Sequence, residues 1–208
     1  MASESETLGG RAPRSAGAQT RKRIAAAAAR LFQTRGYAAT GMNEIVKRSG
    51  APKGSIYHHF PGGKRDIAVA AAQQAGAQFE TTLAQIAAAE GEAGAMLERY
   101  CEQLAGWMSV SGCRAGCPVA ALALEVAPED GAIARAVAEV FARWRGVIAQ
   151  RIAADGASKA NAEALASLSV NAVEGALLRA RAERDPVSLV ETGAMLARLV
   201  RAETGRGG

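Results

Sequence analysis

The 208-residue, 21.4 kDa chain is 49% hydrophobic and 22% charged, a composition that excludes wholesale disorder and fits one medium domain or a small domain fused to a larger one. No apolar stretch reaches the roughly 18 residues of a membrane span, and the polar opening MASESETLGGRAPRSAGAQTRKR has neither the apolar core nor the small-residue cleavage site of a secretory signal, so a cytoplasmic protein with no membrane partner is expected. The net charge of +5 is unevenly spread: residues 1–66 carry 12 Lys and Arg against 4 Asp and Glu, whereas residues 67–208 carry 13 against 16, which points to a nucleic-acid or anionic partner for the front third and a different task for the rest.

Apolar residues recur at spacings of three and four almost throughout, with no strand-like alternation, so an all-α fold is expected. Residues 1–19 read as a disordered basic arm. Thr20 is placed as the cap of a first helix whose Ile24, Ala28, Leu31 and Phe32 share one face and which ends near Arg35-Gly36. Thr40 is placed as the cap of a short second helix with Met42, Ile45, Val46 and Ser49 on one face, closed by Gly50. Pro52 suits the start of a third helix that continues through 53–59, because its missing N–H would be unpaired there in any residue. Longer helices are predicted over 64–89, 93–110, 118–126, 130–154, 159–183 and 186–201, broken at Gly91, Gly112, Gly116, Pro128, Gly156 and Pro186. The helix from Asp130 carries the clearest apolar stripe, with Ile133, Val137, Val140, Phe141, Trp144, Ile148 and Ile152.

Two short helices joined by a Gly turn, the second basic at its start, make a helix-turn-helix, in which the first helix braces a second that reads the DNA major groove. The segment Thr40-Gly-Met-Asn-Glu-Ile-Val-Lys-Arg-Ser-Gly-Ala-Pro-Lys-Gly-Ser-Ile-Tyr-His-His-Phe60-Pro-Gly-Gly-Lys64 resembles the signature of the TetR family of bacterial transcriptional regulators, over about residues 20–70. Gly116-Cys117-Pro118-Val119-Ala120-Ala121-Leu122-Ala123-Leu124-Glu125 and Pro61-Gly62-Gly63-Lys64 resemble its LmrA/YxaF-like branch. The resemblance implies a three-helix DNA-binding domain over 20–66 and a larger helical effector-binding and dimerisation domain over 67–208. Physically, Gly54 lets the third helix approach DNA closely, and Lys53 and Ser55 can reach bases or nearby phosphates. Tyr57, His58 and Lys64 are placed for phosphates, as are Thr40 and Met42 at the start of the second helix. Arg11, Arg14, Arg21, Lys22 and Arg23 would add salt-sensitive phosphate or minor-groove contacts.

Aromatic residues make up only 4% of the chain, so Tyr100, Trp107, Phe141 and Trp144, with Met108, Leu122 and Cys117, are the candidates for a pocket suited to a flat, hydrophobic or aromatic effector. Glu174 and Leu177, in a segment resembling the family's first dimerisation helix, together with Leu189, Leu196, Leu199 and Val200, are the candidates for a homodimer face. A dimer also follows from the twofold symmetry of a palindromic double-stranded operator.

The expected protein is a repressor released from its operator by the effector, needing no cofactor. His58 and His59 project about 100° apart on a helix and no further ligand cluster completes a metal site. Three cysteines leave reduced thiols as the default, but Cys113 and Cys117 frame the alternative of a thiol-based redox sensor, favoured by Arg114 and by a helix start at Cys117. A small-molecule-binding or thiol enzyme is a weaker alternative, since no Ser/His/Asp or Cys/His arrangement is present. A non-specific DNA-packaging protein would use the basic charge without sequence choice.

Overall fold

The structure, a computed structural model, describes residues 14–205, with side chains from Ala16 onward. These residues form nine α-helices and no strand: α1 (Arg14–Arg35), α2 (Met42–Ser49), α3 (Lys53–His59), α4 (Lys64–Glu90), α5 (Ala93–Val110), α6 (Pro118–Glu125), α7 (Gly131–Ala154), α8 (Lys159–Glu183) and α9 (Val187–Glu203). The predicted arm through residue 13 lies outside the described residues, as does the side chain of Arg14.

Two predicted caps move. Helix α1 begins at Arg14, six residues before Thr20, whose hydroxyl instead donates to the Ala16 carbonyl one turn back inside the helix. The N-cap of α2 is Gly41, not Thr40. Thr40 is fully buried and its hydroxyl donates to the Gly36 carbonyl at 2.7 Å, while the Gly41 N–H donates to the Glu44 carboxylate in the first turn. In three of the longer helices the caps follow side-chain chemistry: Asp130 accepts from the Ala132 and Ile133 N–H groups, Ser158 from Asn161 and Glu92 from Ala95, whereas Pro52, Gly63 and Pro186 cap α3, α4 and α9 without a side-chain hydrogen bond.

Helices α1 to α3 close around Ile24, Ala28, Leu31, Phe32, Ile45, Ile56 and Phe60, all but Leu31 fully buried, with Ile67 of α4 sealing the base. Gly50 ends α2 at φ +62°, the left-handed conformation that glycine adopts at no steric cost, and its N–H donates to the Val46 carbonyl. That reversal sets α3 against the head core.

In the larger domain, α5 lies against α9, α7 against α4 and α8, and α8 against α9. Glycine permits two of these approaches. A Cβ on Gly193 of α9 would sit 2.6 Å from the Cys101 Cβ of α5, and one on Gly76 of α4 would meet Val140 and Arg143 of α7 at about 3 Å. The α5–α9 seam is also tied by Arg201 to Glu92 at 2.7 Å and to Glu98 at 3.6 Å. The predicted stripe of α7 is buried as expected, except that Phe141 is half-buried. No described helix is long and apolar enough to cross a membrane.

Candidate functional site

On α3, Lys53, Gly54, Tyr57 and His58 are exposed and Ser55 is half-exposed, whereas Ile56 and the following Phe60 are fully buried. The helical period therefore anchors one side in the head core and presents the other. A Cβ on Gly54 would meet nothing within 4 Å, so nothing inside the protein requires glycine there. His58 lies edge-on to His59 with ring centroids 5.1 Å apart. No cluster of three potential metal ligands occurs among the described residues.

Other proposed DNA contacts are placed differently. Arg21 is exposed with its guanidinium 5.0 Å above the Phe60 ring, which orients it beside α3. Thr40 spends its hydroxyl on Gly36 and its N–H on the Tyr37 carbonyl, which leaves it a brace of the α1–α2 turn and removes it from the phosphate-facing set. Met42 is half-buried against the head core. Lys64 is half-buried with its Nζ 4.0 Å over the Tyr37 ring; burial lowers its pKa and the nearby Glu125 opposes that shift. Its ammonium is thus held at the junction between the head and the larger domain.

That junction is polar. The Glu125 carboxylate, at the end of α6, accepts from the Ala38 N–H at 2.8 Å and occupies the space a side chain on Gly36 would need; Gly36 has φ +85°. At the other end of α6, the Gly116 N–H donates to the Gln33 carbonyl at 2.9 Å. Arg65 pairs with Asp130 at 2.7 Å. Helix α6 therefore touches the head at both ends.

Behind the junction lies a cavity of about 360 Å³ between α1, α4, α5, α7 and α8, with the α6 cap at its edge. Five of the seven pocket candidates line it: Tyr100, Trp107, Met108, Cys117 and Trp144. Leu122 does not, being fully buried where α6 packs on its neighbours, and Phe141 sits edge-on behind Trp144 at 5.4 Å. Trp144 donates its N–H to the Gly76 carbonyl at 3.3 Å, so it presents a ring and not a donor. Sequence reasoning missed Phe79, which stacks on Trp144 at 4.5 Å and meets Tyr100 edge-on at 5.1 Å. The scarcity of aromatics was the available signal.

Glu174 and Leu177, expected at a dimer face, line this cavity instead. Glu174 is half-buried with its carboxyl drawn into the wall; burial raises its pKa to about 7, against a smaller opposing effect of the Cys117 thiol beside it. Leu189, Leu196 and Val200 are buried within the protomer, because that side of α9 packs on α5 and α8. The outer faces of α8 and α9 expose Leu168, Leu178, Val187, Val190, Met195 and, from the original candidates, Leu199.

Neither Cys117 nor Cys101 has the lowered pKa that a redox switch needs. Burial and Glu174 push the Cys117 thiol well up, overcoming the Ala120 N–H that its sulfur accepts at 3.5 Å; burial pushes Cys101 up to about 12. Cys113 is buried, and all three cysteines are free.

Residues 24–71 match the family model for bacterial regulatory proteins of the tetR family, and residues 93–195 match that for the C-terminal domain of LmrA/YxaF-like transcriptional regulators. The chain is 40% identical over 181 residues to the HTH-type transcriptional regulator Rv0196 of Mycobacterium tuberculosis, covering 82% of this chain and 89% of the relative. It is 32% identical to the HTH-type transcriptional regulator LmrA of Bacillus subtilis, covering 88% and 97%. The crystal structure of regulatory protein TetR from Rhodobacter sphaeroides is 28% identical, superimposes with a TM-score of 0.74 and covers 88% of this chain and 98% of that one. With a filled three-helix head presenting a basic helix and a larger helical domain behind it, the chain belongs to the TetR family of DNA-binding transcriptional regulators.

Proposed function

We propose that this regulator binds a palindromic operator as a homodimer, represses from it, and leaves it when a small hydrophobic or aromatic effector fills the cavity. The observation that supports operator reading best is the exposed set Lys53, Gly54, Tyr57 and His58 on a helix whose other side is locked into a filled core. Lys53 and Ser55 act at base edges or adjacent phosphates, and Tyr57, His58 and Arg21 at phosphates. Two such heads need a twofold axis. The six exposed apolar residues of α8 and α9 supply a face for it, with Gly175 allowing close approach.

Release requires that the effector bind the DNA-incompetent arrangement more tightly than the competent one. Gly116 and Gln33, whose hydrogen bond ties the approach to α6 to the end of α1, both line the cavity, so a ligand there can bias how the head sits.

The test is binding of the purified full-length protein to DNA upstream of its own gene, against random DNA at matched salt. The expected preference is on the order of a thousandfold, and Leu178→Asp should abolish it by dissociating the dimer while the helical content stays unchanged. Equal binding to both DNAs would overturn the operator reading in favour of non-specific packaging.

A further inference from the structure

Among the described residues Glu174 is the only carboxylate lining the cavity, and it makes no ion pair with any of them. A carboxylate in such a wall loses most of its hydration, a cost normally met by pairing or by taking up a proton. The groups around it do not meet that cost with positive charge. Cys117, at the cap of α6, offers a thiol; Tyr100, on α5, offers a phenol whose own ionisation Glu174 disfavours. Helices α4 and α7 bring only uncharged side chains to the lining, among them Gln74, Gln78 and Trp144. Arg30 of α1 reaches the lining from an exposed position, and Arg181, two turns along α8, donates to the Thr34 carbonyl. In the adjoining cleft that Glu174 also lines, Arg35 pairs with Glu44 and Glu125 accepts from the Ala38 N–H; none of these arginines pairs with Glu174.

The same lining carries an aromatic wall in which Phe79 stacks on Trp144 and meets Tyr100 edge-on, with the half-exposed Trp107 also on it. Aromatic faces attract cations, and more strongly where water is excluded. An isolated acid and an aromatic wall in one cavity select the same ligand charge. We propose that the cavity takes a flat apolar monocation, an aromatic amine or quaternary ammonium compound, with Glu174 as its counter-ion. This rests on the cavity being the effector site proposed above. Binding such a ligand keeps Glu174 ionised in place, so a proton bound there in the free protein is released.

Two probes of one shape separate charge from fit. At about pH 8, 10-methylacridinium is a permanent cation and acridine is neutral. Equilibrium dialysis of the full-length protein should show 10-methylacridinium bound at least about tenfold more tightly than acridine, and less tightly at pH 6 than at pH 8. In Glu174→Gln, which keeps the shape of the side chain, the preference should fall sharply and its pH dependence vanish while acridine binds as before; circular dichroism confirms the fold. Equal affinity for the two probes overturns the cation assignment, and a preference undiminished in Glu174→Gln overturns Glu174 as the counter-ion; either result leaves the effector cavity standing. Binding of neither probe overturns both readings.

Discussion

The head and the larger domain bury apolar residues to opposite ends. In the head, six side chains from Ile24 to Phe60 are fully buried around a filled centre, and the chemistry is on the outside, in Lys53, Tyr57 and His58. In the larger domain the aromatic residues stack around a cavity of about 360 Å³, and the chemistry is inside, in Glu174 and Tyr100. A domain that reads a stiff duplex benefits from a rigid support, whereas a domain that takes up a small molecule must leave packing incomplete. Charge follows the same division, with the excess of Lys and Arg confined to residues 1–66.

The largest test of that contrast is Phe60→Ala. Because Phe60 is fully buried among the side chains of the head core, its truncation should cost about 3–5 kcal/mol of stability by urea denaturation. A cost below about 1 kcal/mol would mean that the head core is not closely packed.

The next effect is specific to the cavity. Glu174 holds its proton up to about pH 7, well above the ordinary carboxylate range, so between those limits the folded state binds more protons than the unfolded state. Its contribution to stability is therefore present at low pH and is lost as pH rises through about 7. Between pH 5 and 8 the wild type should lose on the order of 1–3 kcal/mol more than Glu174→Gln; parallel profiles would refute the buried acid.

On the proposed operator reading, Lys53→Ala and Tyr57→Ala should each weaken operator binding by about 1–3 kcal/mol, measured by fluorescence anisotropy, with dimerisation and thermal stability unchanged. The smallest effect is the most discriminating. Gly54→Ala places a methyl where nothing within 4 Å opposes it, so it should stabilise the helix by about 0.5–1 kcal/mol while weakening operator binding. If the operator affinity holds, Gly54 is not a point of close approach.

Helix periods, Gly and Pro breaks and the basic front third were legible because they are local: the bounds of α5 and α8 follow from neighbouring residues alone. The caps at Thr20 and Thr40 were not, since a threonine hydroxyl is equally satisfied by a carbonyl one turn back, and only surrounding packing selects between the two. The pocket was legible as a set of scarce aromatics, but not in the membership of Phe79 or the exclusion of Leu122. The side of α9 that faces its neighbour was misassigned, because apolar residues occur on both sides and periodicity does not say which one the protomer covers.

By itself, then, the sequence determined an all-α chain with a helix-turn-helix head and the residues that α3 exposes, since short-range spacing and turn chemistry specify these. Only the tertiary structure decided that Glu174 turns into an aromatic cavity, that Lys64 rests on Tyr37 at the junction and that Leu178 and Leu199 remain outside. Those outcomes depend on which helices become neighbours, and contacts between residues far apart in the chain leave no local period to read.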